Sequence, residues 1–122
     1  MAGNIPFCPQ GKTITLQTSG SINTSQNRQV KESDFAISTL PSQFRIVNNG
    51  TADIWVVFSS TSGPTAAFPT AGTTSVGTPQ PGWRLKPGVV EVFTNPAGPS
   101  LFIADISSVA SQTYDITAGE GT

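Results

Sequence analysis

The stretch Gln43-Phe44-Arg45-Ile46-Val47-Asn48-Asn49-Gly50-Thr51-Ala52-Asp53-Ile54-Trp55-Val56-Val57-Phe58-Ser59 decides the fold class. Phe44 to Val47 and Ile54 to Phe58 are short runs of β-branched and aromatic residues, the types that fit a pleated, half-buried surface. Between them, Asn49-Gly50 supplies residues that tolerate the positive φ of a tight hairpin turn. The spacing therefore predicts a strand, a turn and a returning strand, with room for a bulge or a longer loop. Strand side chains alternate, so Phe44 and Ile46 share one face, and Ile54, Val56 and Phe58 share another. Trp55 and Val57 then point the opposite way. A large aromatic on that second face predicts that both faces are covered, as in a sandwich or at a subunit contact.

Similar signals continue on both sides. Lys12 to Gln17 alternates Thr13, Thr15 and Gln17 with Ile14 and Leu16, the period of a strand with one buried face. Thr18 to Gln29 is almost wholly polar and reads as a loose edge strand or a long surface loop. In Val30 to Thr39, Ser33-Asp34 fits the cap of a short helical turn, whereas Phe35 and Ile37 alternate as a strand; the strand is preferred. Ser60 to Gly82 is rich in Ser, Thr, Gly and Pro, and is either an irregular surface loop or the carrier of a short strand. Lys86-Pro87-Gly88 predicts a turn between Trp83-Arg84-Leu85 and Val89 to Phe93. Asn95 to Pro99 predicts another, and Leu101 to Ile106 and Thr113 to Thr117 complete the strands. The expectation is an all-β chain, an antiparallel β-sandwich or jelly roll of about eight strands. Residues 1–11, with Pro6 and Pro9, read as an extended N-terminal arm, and residues 12–122 as a single β domain.

Composition agrees. The chain has 122 residues with a formal net charge of -1, and 12 Gly and 10 Pro punctuate it. Ile and Val total 18 against 4 Leu, which opposes long helices and favours strands. So balanced a charge gives no electrostatic footprint for nucleic acid or an anionic membrane. The segment MAGNIPFCPQGK has no basic region followed by an apolar run, and no apolar stretch approaches the roughly 20 residues of a spanning helix. The expectation is a soluble chain that is not exported, with neither nucleic acid nor membrane as partner.

Histidine is absent, which removes the usual base near neutral pH and every Ser-His or Cys-His pair. Cys8 is the single cysteine, so neither an intrachain disulfide nor a thiolate cluster forms, and it reads as a small apolar residue near the arm. Asp53 and Glu91, placed on neighbouring strands, would sit as a carboxylate pair for glycoside hydrolysis, but solvent-facing strand charges are the plainer reading. Asp105 lies within an apolar run, so its direction matters. Trp83, Trp55, Phe68 and Tyr114 would form a sugar-stacking platform if gathered, although aromatics in such chains are more often core or interface anchors. Arg84 and Lys86 beside Trp83 are too few for a nucleic-acid site. The expectation is a protein that is not an enzyme, without cofactor or metal site, whose candidate interaction residues are Ile5, Phe7 and Trp83.

The blocks FRIVNNGTADIWVVF (Phe44 to Phe58), LKPGVVEVF (Leu85 to Phe93), LFIADIS (Leu101 to Ser107) and YDITAGEGT (Tyr114 to Thr122) resemble small virion proteins of tailed bacteriophages. In that group a strand ending in an Asn-rich turn, a Pro-Gly turn before a Val-rich strand, and a terminal G-E-G tail recur in this order. The resemblance spans roughly Phe44 to Thr122. Within the group it is closest to capsid decoration, or cement, proteins. It implies a structural protein on the capsid surface of the virion, made in the host cytoplasm. Its partner would be the major capsid protein, whose neighbouring subunits it bridges, and a homo-oligomer, a dimer or trimer, is expected. The competing reading is a tail, neck or head-fibre module with a β fold that binds host glycans.

Overall fold

Alternating apolar and polar positions become eight strands. They are β1 (Phe7–Gln17), β2 (Gln26–Val30), β3 (Gln43–Asn48), β4 (Ile54–Ser59), β5 (Trp83–Leu85), β6 (Val90–Thr94), β7 (Leu101–Ser107) and β8 (Thr113–Gly121). The computed structural model describes residues 7–40, 42–95 and 100–121, and the backbone alone of Phe7 and Glu120. Two four-stranded antiparallel sheets result, a front sheet ordered β1-β8-β3-β6 and a back sheet ordered β2-β7-β4-β5. First pairs with last, second with seventh, third with sixth, and fourth with fifth. That nesting is the strand order of an eight-stranded jelly roll, so the expected sandwich is what the chain forms.

The core lies between the sheets. Ile14, Leu16, Phe44, Ile46, Phe93, Tyr114, Ile116 and Ala118 come from the front sheet, and Val30, Ile54, Val56, Leu85, Leu101 and Ile103 from the back. Side chains of this size each gain roughly 1.5–3 kcal/mol on full burial, which makes this layer the main favourable term. The outer side of the front sheet is polar along β1 and β8: Thr13 Oγ1 and Thr117 Oγ1 lie 2.7 Å apart, and Thr15 donates to Asp115 at 2.6 Å.

Three local expectations change. First, β3 and β4 do not form a hairpin, because β3 lies in the front sheet and β4 in the back. Gly50 does not take a positive φ. The Asn48 side chain instead turns inward and donates to the Ala52 and Leu85 carbonyls, while its Oδ1 accepts from the Gly50 amide. Gln112 Oε1 takes the Thr51 and Ala52 amides. Buried side-chain bonds thus steer the chain from one sheet to the other, so the Asn-rich turn is an arch.

Second, the strand preferred over Val30 to Thr39 is a 3-10 turn at Glu32–Phe35. Asp34 Oδ2 accepts from the Lys31 amide at 2.7 Å, and Ala36 at φ 57° reverses the chain. That reversal lets both Phe35 and Ile37 reach the core, which mimics strand alternation in the sequence. Third, the part of the arm that is described, Phe7 to Gly11, is extended but belongs to β1, paired from Phe7 with Gly121. The register steps four residues on β1, from Pro9 to Thr13, against two on β8. Gly11, at φ 71°, occupies this bulge, and a Cβ there would lie 2.0 Å from the Phe35 carbonyl.

The Lys86-Pro87-Gly88 turn forms as expected. Val89 N–H donates to the Lys86 carbonyl, and Gly88 takes φ 77°. Ser60 to Gly82 is irregular apart from a bridge between Thr70 and Thr78. Ala66 and Phe68 from this excursion cover Trp55, Val57, Ala104 and Ile106 on the outside of the back sheet. The second face of β4 is therefore covered by the chain's own loop, pinned where Trp55 Nε1 donates to the Pro81 carbonyl at 2.8 Å.

Candidate functional site: two seams of the sandwich

A two-sheet sandwich leaves two long seams where edge strands face each other. Here β5 and β6 form one, and β1 and β2 the other. Both are read most easily from one inner row of the back sheet, which runs Gln26, Asp105, Val56, Trp83 from seam to seam. It is polar at one end and aromatic at the other.

At the aromatic seam, Trp83 stands on the core side of β5, but the sheet ends there and the indole stays 45% exposed. Its ring centre lies 4.9 Å from Phe93 of β6 and 5.7 Å from Phe58 of β4. Phe58 reaches Phe93 at 5.6 Å. Tilted contacts at these distances suit the ring quadrupoles and hold the indole in a fixed pose. On the outer side of β6, Val90 and Val92 are 53% and 46% exposed. Arg84, next along β5, sits 5.8 Å from both the Trp55 and Phe68 rings and 3.8 Å from Asp53. Glu91 occupies a core-side position on the free edge of β6, where a charge opposes pairing with another strand.

At the polar seam, Arg28 and Gln26 of β2 both donate to the Gln17 carbonyl of β1, the arginine at 2.8 Å. Beside these bonds a cleft of about 260 Å³ is lined by Ile14, Leu16, Arg28, Gln29, Val30 and Asp34. Behind it, Asp105 is fully buried and accepts the Tyr114 hydroxyl across the two sheets at 2.5 Å. Among the described residues, Asp105 Oδ1 is the buried side-chain polar atom without a hydrogen-bond partner. Burial raises the carboxyl to about 6 from 3.8, against the opposing pull of the Tyr114 hydrogen bond and the Arg28 charge. Burial and the neighbouring carboxylate push the Tyr114 hydroxyl well above its ordinary range.

The structure disperses several candidates. Ile5 lies outside the described residues, and Phe7 is described only as backbone in β1. Trp83 is half-exposed, on a strand at the opposite side of the sandwich from β1. Asp53 and Glu91 are not on neighbouring strands: Asp53 leads into β4 of the back sheet beside Arg84, and Glu91 is on β6 of the front sheet. The four aromatics form no platform, since Tyr114 is in the core and Phe68 of the long loop packs over Trp55 on the outside of the back sheet. Cys8 is exposed on β1. Among the described residues, no three His, Cys, Asp or Glu side chains come together to hold a metal ion, and no helix is long and apolar enough to cross a membrane.

Sequence reasoning marked Asp105 but not its partner. Its signal was parity: Asp105 falls in step with Leu101 and Ile103, and Tyr114 with Ile116, so both side chains point inward. Set against known protein families, curated proteins and solved structures, the chain matches none of them.

Proposed function

We propose that this chain is a structural virion protein, a capsid decoration or cement protein that binds the assembled phage head and works by contact rather than by catalysis. It would bridge neighbouring major capsid subunits as a dimer or trimer on the capsid surface, after synthesis in the host cytoplasm. The observation that carries this reading is the aromatic seam, where an indole packed against Phe58 and Phe93 stands half-exposed, while Val90 and Val92 are exposed on the other face of β6. Apolar groups held rigid at a surface gain from burial against a partner, at about 25 cal/mol per Å², with little ordering cost. Jelly rolls serve widely as capsid domains, which adds support by analogy of fold alone. A protein that binds only the assembled lattice stabilises it by mass action.

The test is co-sedimentation of purified protein with purified phage heads, followed by cryo-electron microscopy of the particles. Density on the head and loss of at least tenfold in affinity for Trp83→Ala, with the domain still folded, are expected. Heads that bind nothing would end this reading. The half-exposed indole also favours a second one, a tail, neck or head-fibre module that stacks on host glycans. Glycan-array binding together with tail localisation would select it.

A further inference from the structure

The groups behind the polar seam form a connected set. Asp105 offers two carboxylate oxygens, of which Oδ2 accepts from Tyr114 and Oδ1 accepts from nothing. A buried carboxylate with one bond is poorly satisfied when charged and far better tolerated when neutral. The groups with charge or a titratable proton that face it are Tyr114 from β8, which donates a hydrogen bond to the carboxyl, and Arg28 from β2, whose charge the carboxyl feels. Its ladder neighbours Gln26 of β2 and Val56 of β4 do not titrate, nor do Leu16 of β1 and Asn48 of β3, which flank Tyr114. Asp34 is the other carboxylate on this seam, lining the cleft with Arg28.

Arg28 is committed elsewhere, to the Gln17 carbonyl that closes β2 against β1. β2 is five residues long and pairs with β7 alone, so these side-chain bonds hold its free side. We propose that Asp105 is a proton-operated clasp on the β1–β2 seam: neutral, it leaves Arg28 on the Gln17 carbonyl and the seam shut; ionised, it draws Arg28 inward and lets β2 part from β1. The cleft floor of Ile14, Leu16 and Val30 opens to solvent when the clasp is released.

The direction in pH follows from burial. The folded carboxyl holds its proton to about pH 6, whereas its ordinary value is 3.8. The stabilisation from the neutral acid is therefore complete below the unfolded value and is lost as pH rises through 6. Across the whole window that difference is worth about a hundredfold in the opening equilibrium. Between pH 5 and pH 7.5 it gives about tenfold.

Two measurements on the whole chain test the clasp. The first follows hydrogen exchange of the Gln26 side-chain amide, which donates to the Gln17 carbonyl across the seam, from pH 5 to 7.5, corrected for intrinsic exchange. It should show about tenfold more opening at the upper pH in the wild type and in Asp34→Asn, and no such rise in Asp105→Asn. The second follows the Asp105 carboxyl carbon by NMR in the wild type, which needs no variant to fold, and expects a midpoint near 6. A carboxyl midpoint near 4, an unchanged rise in Asp105→Asn, or loss of the rise in Asp34→Asn would each overturn the proposal.

Discussion

The two seams solve one geometric problem with opposite chemistry. Between β5 and β6 the sandwich is closed by Trp83, Phe58 and Phe93, whose tilted rings fill the gap without a hydrogen bond between them. Between β1 and β2 it is closed by side chains reaching a single carbonyl, with a carboxylate buried behind them. Ring packing is indifferent to pH and leaves apolar surface ready for a partner. A polar closure is directional and answers to protonation, because the penalty for burying a charge exceeds what one hydrogen bond returns. One seam is suited to be a contact, the other to be a control.

Variants can break each closure separately. The largest effect is expected from Phe93→Ala, which removes the ring touching both Phe58 and Trp83 and leaves a gap in the core. About 3–4 kcal/mol should be lost in denaturant unfolding, to the same extent at pH 5 and pH 7.5. Tyr114→Phe acts on the other seam by removing the hydroxyl that Asp105 accepts. Its cost should be roughly 1–3 kcal/mol and larger at pH 7.5 than at pH 5, since the ionised carboxylate suffers most from losing its donor. The smallest effect is expected from Arg28→Ala, near 1 kcal/mol, because the arginine is only half-buried and Gln26 keeps a bond to the same carbonyl. An equal pH response from Phe93→Ala and Tyr114→Phe would erase the distinction between the seams.

The sandwich was legible because its signals are local. Period-two alternation in Lys12 to Gln17 and at Phe44 to Val47 placed the right side chains inward. The opposed face of Trp55 and Val57 correctly announced a second cover. What failed was partnership. Asn49-Gly50 is a turn signal for a hairpin, yet nothing in the neighbouring residues records that Asn48 reaches Leu85, 37 residues away, and sends the next strand to the other sheet. The turn at Glu32–Phe35 was misread for a related reason, since one left-handed residue at Ala36 gives the same inward pattern as a strand. The buried pair Asp105 and Tyr114 was visible by parity on each strand, but their meeting depends on how the sheets stack. Local sequence carries no record of that.

The pairing of the first strand with the last bears on how the molecule comes into being. Thr13 touches Thr117 across a separation of 104 residues, and β8 lies between β1 and β3, so neither gains that neighbour until the final strand arrives. Early segments emerging from a ribosome have nowhere to settle, and loop-closure entropy delays their reward. Folding in milliseconds to seconds, beginning only once β8 is available to pair, is the expected behaviour for such long-range connectivity. During that interval the unpaired rims of β1 and β3 are the parts of the newborn chain most in need of protection.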